Sequence, residues 1–407
     1  MRVMKSNEFF KELLGIALPW EVEKVDLNMN QSEVKIHLSV REGWKWRDSE
    51  GKEASIHDWK VREFRALDTG HCETIVIAKV PRLIREDGKT EMASVPWAGK
   101  GSRYTWRFEC WAIEVMLACK TLSDACKLLG IHWDAAQRIM ERAVERGMER
   151  RSLEHLKYLG MDEKSYLRGH QYITLLNDLE NGVVLEVARG RDADSVTELV
   201  SSIPWEVREK IKAFSIDMWK PFINGIEKYF PHAKIVFDRF HISKHLNEGI
   251  DAVRKQENRE LLKEGDESLK GSKYIWLTRK ENMDELTRDT FERMLKCTLK
   301  VARAWSIKEL FDEIWSLSSM KQAREFFTRW YGRTCRSQLK PMIKVAQMLK
   351  RHVEGIVSSI RHPITNAKSE AINTNIQSLK AAARGLPNFE NYRIRILFFC
   401  GKLDLIP

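Results

Sequence analysis

Between Leu156 and Asp238 the hydrophobic period of the chain switches repeatedly in a fixed order, and this order constrains the fold more than any other feature. Leu156–Tyr166 reads as a strand. Tyr172–Leu176 and Val183–Val187 form a hairpin around Asn177–Gly182, where Asn181-Gly182 supplies positive φ angles. Ala193–Ser202 reads as a helix with Asp192 or Asp194 near its N-terminus. Ala213–Ile216 is a short buried strand ending at Asp217, and Lys234–Phe237 is another ending at Asp238. Between them Pro221–Tyr229 is a helix with proline in its first turn. Strand, hairpin, helix, strand, helix, strand predicts a mixed α/β layer architecture.

The flanking segments have other periods. From His241 to about Ser359 the pattern is almost wholly helical, with Trp276, Trp305, Trp315 and Trp330. That is too long for a loop and reads as a helical insertion, with Lys263–Ser272 as an exposed turn. A helix over Asn366–Ala383, a break at Gly385-Leu386-Pro387 and a helix over Asn391–Cys400 end the chain. At the start, residues 6–18 read as a short amphipathic helix capped by Ser6. Glu33–Val40 alternates strictly, and Thr74–Val80 reads as a strand stopped by Pro81, so residues 1–100 form a small, mostly β module.

Residues 106–150 read as three helices: Trp106–Lys120, Leu122–Leu129 started by Thr121 or Ser123, and Trp133–Gly147. The turn Gly130-Ile131-His132 between the last two gives a helix-turn-helix pattern. In a DNA-binding protein the later helix enters the major groove, exposing Asp134, Gln137, Arg138 and Arg142. A plain helical packing unit has the same pattern.

Composition narrows the functional classes. The chain has 407 residues, 43% of them hydrophobic, with 14 Trp and 16 Phe, which excludes disorder for most of its length. No apolar run approaches the roughly 18 residues that cross a bilayer, and the N-terminus does not read as a signal peptide. The seven cysteines are scattered without a CxxC pair, so neither a disulfide framework nor a zinc site is expected, as suits a reducing cytoplasm. The net charge is +11, and residues 321–407 carry all of it, with 16 basic and 5 acidic side chains. Trp330, Tyr331 and Tyr392 are interleaved there, which suits a polyanion such as nucleic acid; a solvated helical surface reads the same way.

Three acids sit at suggestive places. Asp162 lies within the first strand of the α/β region and Asp217 at the carboxyl end of a later one, where open α/β sheets place reacting groups. Glu370 lies near the start of a distant helix, in a polar stripe with Asn366, Asn373 and Gln377. Ile372, Ile376, Leu379 and Ala383 fall on the opposite face. Carboxylates are the ligands hard Mg2+ prefers. Each acid also has a plain reading: Asp162 facing solvent, Asp217 capping the next helix, Glu370 in water. His241, after Asp238-Arg239-Phe240, reads first as capping or orienting a neighbour at the start of a helix, with a metal or proton-transfer role as the alternative. Cys72 beside His71 has no second ligand pair in reach.

Taken in order, several stretches carry a resemblance. They are Gly160-Met161-Asp162-Glu163-Lys164-Ser165, Arg168-Gly169-His170-Gln171-Tyr172, Asp178-Leu179-Glu180, Ser215-Ile216-Asp217-Met218-Trp219, Phe237-Asp238-Arg239-Phe240-His241 and Asn366-Ala367-Lys368-Ser369-Glu370-Ala371-Ile372-Asn373. The chain resembles the DDE transposases of bacterial insertion sequences, the ISL-three group, over about residues 60–407. The resemblance implies an RNase H-like mixed-sheet core with a large helical insertion, preceded by the β module and the helix-turn-helix. The divisions would be residues 1–100, 101–155, 156–240, 241–360 and 361–407, the third and last forming the catalytic core around the insertion.

By motif, Asp162, Asp217 and Glu370 take the three catalytic and metal-binding positions, holding two Mg2+ or Mn2+ ions. Asp238, His241, Asn366 and Asn373 take accessory places, and Gln137, Arg138 and Arg142 contact DNA. The partners implied are double-stranded DNA, as terminal inverted repeats and target, and a second copy of the chain; the setting is the bacterial cytoplasm at the nucleoid, with no membrane. Relatives begin with a cysteine-rich zinc ribbon. Here the corresponding stretches, Trp44–Gly51 and Arg82–Gly88, lack the paired cysteines, so no structural zinc is expected. A silent transposase acting as a DNA-binding repressor, and a metal-dependent nuclease without strand transfer, are the competing classes.

Overall fold

The computed structural model describes residues 6–119, 121–167, 169, 171–278, 280–297, 299–362, 364, 367–383 and 388–407. Arg168, His170, Asn366 and the Gly385-Leu386-Pro387 break, all read from the sequence, lie outside them. The chain divides into two compact units. The first takes in the described parts of Met1–Arg151, Ala381–Gly385 and Leu403–Pro407; the second, those of Ser152–Lys380 and Leu386–Lys402.

The first unit opens with the helix Ser6–Leu14 and a sheet of β1 (Trp20–Asn28), β2 (Glu33–Val40), β3 (Ser55–Thr69), β4 (Cys72–Ile84) and β5 (Thr90–Met92). The order is β1-β2-β4-β3, with β5 on β4; β2 and β4 are parallel. The alternation of β2 works as read, with Val34, Ile36 and Leu38 buried. Trp20, Phe64 and Trp97 complete the core, with Trp97 edge-on to both other rings. One expectation fails: Pro81 does not stop β4. It pairs with Trp59 beside a register irregularity between Ile56 and Asp58, and its carbonyl accepts the Ala93 amide at 2.9 Å. A strand residue's N–H and C=O point to the same side, so the missing proline N–H faces the end of β5, past Met92, and removes no bond to β3.

The stretches named for the absent cysteines carry two tight turns, with Gly51 and Gly88 at positive φ. Charge holds the turns together. Lys52 pairs with Glu86 at 2.6 Å, Arg85 pairs with Glu50, and Ser49 binds Glu91 through its amide at 2.7 Å and its hydroxyl at 2.9 Å.

Three helices follow. Thr105 caps Trp106–Ala118, and Thr121, not Ser123, caps Leu122–Leu129, which ends on Gly130 at φ 64. Trp133–Arg150 runs three residues past its expected end. The C-terminus explains the extension: Arg146 donates to the Leu405 carbonyl at 2.8 Å and Arg150 to the Ile406 carbonyl at 2.7 Å. Gly147 permits this approach, since a Cβ there would lie 2.7 Å from Leu403 Cβ.

The second unit holds the mixed α/β layers. Its sheet has β6 (Tyr158–Leu167), β7 (Gln171–Asp178), β8 (Val183–Arg189), β9 (Ala213–Ile216) and β10 (Lys234–Phe237) in the order β10-β9-β6-β7-β8. β10, β9 and β6 run parallel; β6, β7 and β8 run antiparallel. Only Gly182 of the Asn-Gly pair has positive φ; Asp178 holds the turn, its carboxylate accepting the Glu180 amide at 2.8 Å and the Asn181 side chain at 2.7 Å.

Arg239–Lys263 begins the helical region, which continues through Lys273–Leu277, Glu285–Leu295, Lys300–Asp312, Met320–Arg336, Lys340–Arg351 and Val353–Arg361. Buried Glu257 caps the Lys300–Asp312 helix, accepting the amides of Lys300 and Val301 at 2.6 and 2.8 Å. The segment Lys263–Ser272 is not wholly exposed: Leu269 and Ser272 are buried, Leu269 in the main hydrophobic core. Ala367–Ala382 and Phe389–Cys400 complete the unit, the latter tied to β8 by a two-bond Arg393–Glu186 pair at 2.7 Å. Among the described residues no helix is long and apolar enough to cross a membrane.

Candidate functional site

The second unit brings residues from three distant segments around one cleft of about 540 Å³. Asp162, Lys164, Asp217, His241, Glu370 and Asn373 are among its lining. Strand alternation puts Asp162 there: Met161 points into the core, so Asp162 and Lys164 share the other face. Asp217 follows the last residue of β9 and Asp238 the last of β10, so parallel pairing carries both to one end of the sheet.

Each group is held by another. Asp162 Oδ2 accepts Asn373 Nδ2 at 2.7 Å and lies 3.4 Å from Lys164 Nζ. Asp238 caps the Arg239–Lys263 helix through the Phe240 amide, and its Oδ2 lies 3.1 Å from His241 Nδ1. The other ring nitrogen of His241 lies 3.1 Å from Asp217 Oδ2. An imidazolium donating from both nitrogens satisfies both carboxylates. Asp217 does not cap the next helix; Trp219 occupies that position, and the backbone amide that Asp217 accepts is its neighbour's, from Met218 at 3.1 Å.

The electrostatics follow from this crowding. Burial pushes the Asp217 carboxyl above its ordinary value; His241 opposes that and Asp162 adds to it. For His241, burial alone would lower the imidazole. The hydrogen bond to Asp238 and the charges of Asp217, Asp238 and Asp162 outweigh it, so the net shift is upward.

Glu370 is exposed at the rim, on the Ala367–Ala382 helix. That helix buries Ile372 and Ile376 as its sequence pattern requires, while Leu379 and Ala383 are half-buried. It is fastened to β6 by Asn373 and by Lys380, which donates to the Ser165 carbonyl at 2.9 Å. Among the described residues no three Asp, Glu, His or Cys side chains converge closely enough to hold a metal ion. The donor types nonetheless fit a hard divalent cation: carboxylates from three segments face one cleft, and the enclosed Asn373 Oδ1 has no hydrogen-bond partner among the described residues.

Sequence reasoning passed over Lys164, although its i+2 spacing from Asp162 on a strand was signal enough. It also missed Arg191, whose guanidinium lies 4.0 Å over the Tyr172 ring and 5.2 Å over Trp219 while pairing with Glu163 at 3.2 Å. No local pattern joins those residues.

In the first unit, the residues read as groove-facing divide. Asp134 and Arg138 are exposed on the Trp133–Arg150 helix. Gln137 is buried, at 4% exposure, beside Ala136 and Ile139 on the face that packs the helix, which corrects the expectation that it is exposed. Arg142 is half-buried and turns inward to the wholly buried Glu109, which also accepts Ser102 Oγ at 2.8 Å.

With this geometry in place, comparison with known proteins defines the class. Residues 159–396 match a family model described as a transposase, and residues 93–144 match the helix-turn-helix domain of transposase family ISL3. The chain belongs to this family of insertion-sequence transposases, the ISL3-type DDE transposases. It is similar to the transposase for insertion sequence element IS1001 of Bordetella parapertussis, 24% identical over 84% of this chain and 85% of that one. It is also similar to the transposase for insertion sequence element IS1557 of Mycobacterium tuberculosis, 23% identical over 94% of this chain and 93% of that one.

Proposed function

We propose that this chain binds the terminal inverted repeats of an insertion sequence, cuts DNA strands at its ends and joins them to a target. Asp162, Asp217 and Glu370 are the carboxylates that hold two Mg2+ or Mn2+ ions. One observation carries this reading: three acids far apart in sequence line a single cleft at one end of the sheet. The mixed strand order, with parallel and antiparallel halves, supports an RNase H-like core in residues 156–240 and 361–407, interrupted by the helices of 241–360.

When bound, the ions supply Lewis acidity at the scissile phosphate and the attacking hydroxyl. The chain's own residues prepare that place. Asn373 and Lys164 set the orientation of the Asp162 carboxylate. His241 holds Asp217 from one nitrogen and is itself held by Asp238 from the other. The raised Asp217 carboxyl reflects burial first, with the like charge of Asp162 adding a smaller part, a cost that bound cations offset. Arg138 and the exposed start of the Trp133–Arg150 helix face the groove of the repeat, and two copies of the chain act on two ends.

The test is a cleavage and joining assay on a plasmid carrying the element's ends, with Mg2+ or Mn2+, comparing wild type with Asp217→Asn. Metal-dependent cuts and joined products in wild type, absent from the variant, are expected. Equal cutting by Asp217→Asn overturns the assignment. Binding to the ends with no cuts under either metal moves the chain to the repressor class, and cuts without joined products to the nuclease class.

A further inference from the structure

The parallel strands of the second unit have two ends, and the carboxylates occupy one. At the other, where β6, β9 and β10 begin, lies a cleft of about 610 Å³ lined by Tyr158, Lys210, Lys212, Lys234, Arg361 and His362, among others. Topology gathers these side chains. Tyr158 pairs with Ala213 and Ala213 with Lys234, while the Lys212 amide donates to the Lys157 carbonyl at 2.8 Å and the Lys234 amide to the Lys212 carbonyl at 2.9 Å. Adjacent strands lie about 4.8 Å apart, so the ammonium groups share one small region.

The charge there is not neutralised internally. Lys210, Lys212, Lys234 and Arg361 are exposed, and none makes an ion pair with a described residue. Among the described lining residues only Glu209 is acidic. His362 gives a second observation. Its ring meets Tyr158 edge-on at 6.0 Å, and its Nδ1 is enclosed without a hydrogen-bond partner among the described residues. Burial, then the charges of Arg361, Lys212 and Lys234, hold its imidazole below the ordinary value, so those three cations converge on it.

We propose that this cleft binds the phosphodiester backbone of duplex DNA, as a contact separate from the carboxylate cleft and the helix-turn-helix. The proposal rests on the DNA-processing reading of the chain. Phosphates are the polyanion such a protein meets, and clustered Lys and Arg without sequence-reading partners are the footprint of backbone binding. The lining offers no glycine-rich cradle for a nucleotide phosphate. Five residues of extended chain separate Lys212 from Asp217, roughly 17 Å at about 3.3 Å each. A phosphate at the carboxylates is therefore out of reach of these lysines, and the cleft takes phosphates elsewhere on the duplex.

The experiment measures the affinity of the full chain for a fluorescein-labelled random-sequence duplex at about 50 to 200 mM salt. Wild type is compared with the double variant Lys212→Gln/Lys234→Gln, and Arg361→Gln is a separate arm. All three positions are exposed, and thermal unfolding checks that the variants fold. The slope of log affinity against log salt is expected to fall by about 2 in the double variant and about 1 in Arg361→Gln. NMR titration of His362 is expected to show its pKa rising when the duplex is added. Binding by wild type with an unchanged slope in both variants overturns this proposal and leaves the DNA reading intact. No duplex binding by wild type removes both. A rise in the His362 pKa with inorganic phosphate alone, and none with duplex, assigns the cleft to a small phosphate and also overturns the proposal.

Discussion

Asn373 donates its amide to Asp162 Oδ2 across 2.7 Å, joining residues 211 positions apart. The Glu370-bearing helix thereby meets the strand carrying the first acid, and one side chain couples the orientation of both. Asn373→Ala is expected to lower strand cleavage about 10- to 100-fold, the usual effect of removing a group that orients a ligand. Duplex affinity and unfolding temperature should change little. Unchanged cleavage at saturating metal would refute the positioning role.

His241 gives a pH dependence of stability with a definite sign. Its folded pKa lies above the ordinary 6.5, so it binds its proton more tightly folded than unfolded. The stabilisation is fully present below about pH 6.5 and is lost as pH rises through the folded value. The unfolding-temperature gap between wild type and His241→Gln should therefore be wider at pH 6 than at pH 9. A gap that widens with pH would contradict the assignment.

The recognition helix separates binding from folding. Arg138→Ala should weaken DNA binding and leave unfolding unchanged, because Arg138 is exposed. Arg142→Ala should destabilise the chain by up to about 3 kcal/mol, because it leaves the buried Glu109 charge without its cation. Partial exposure of Arg142 and the remaining Ser102 bond keep the loss at the lower end for broken buried pairs. Denaturant unfolding and DNA titration on both variants distinguish the two effects.

The paired turns of the β module are clasped by Lys52–Glu86 and Arg85–Glu50. Both glutamates are exposed, so Glu50→Ala and Glu86→Ala should each cost no more than about 1 kcal/mol and show weaker effects at high salt. With no Mg2+ or Mn2+ added, a zinc chelator should leave the unfolding temperature of the wild type where it is; a fall on chelation, reversed by zinc, would show a metal that the clasp does not account for.

Thiol reactivity should follow burial. Burial pushes the Cys400 thiol up to about 11, so at pH 8 it stays protonated. Cys297 is exposed. Alkylation of the folded chain followed by mass mapping should label Cys297 and spare Cys400 until denaturant is added.

Much of the site was legible before the fold was known, because the signals were local. β9, β10 and the acids after them follow from two four-residue runs with three apolar residues each, both followed by Asp. The polar stripe holding Glu370 and Asn373 follows from helical spacing. What failed locally failed for tertiary reasons. Pro81 sits inside β4 because its missing donor faces the end of β5, past Met92, and Gln137 is inside because its helix packs on that face.

The sequence by itself determined the order of elements, the residue type at each strand end and the family, since periodicity, turn residues and ordered motifs are properties of short stretches. Only the tertiary structure decided which side chains meet. That Asp217 rests on His241, that Arg142 turns to Glu109 and not outward, and that lysines from separate strand starts share a cleft all depend on strand order and helix packing. Such contacts join residues far apart in the chain, and no short-range pattern encodes a distance between them.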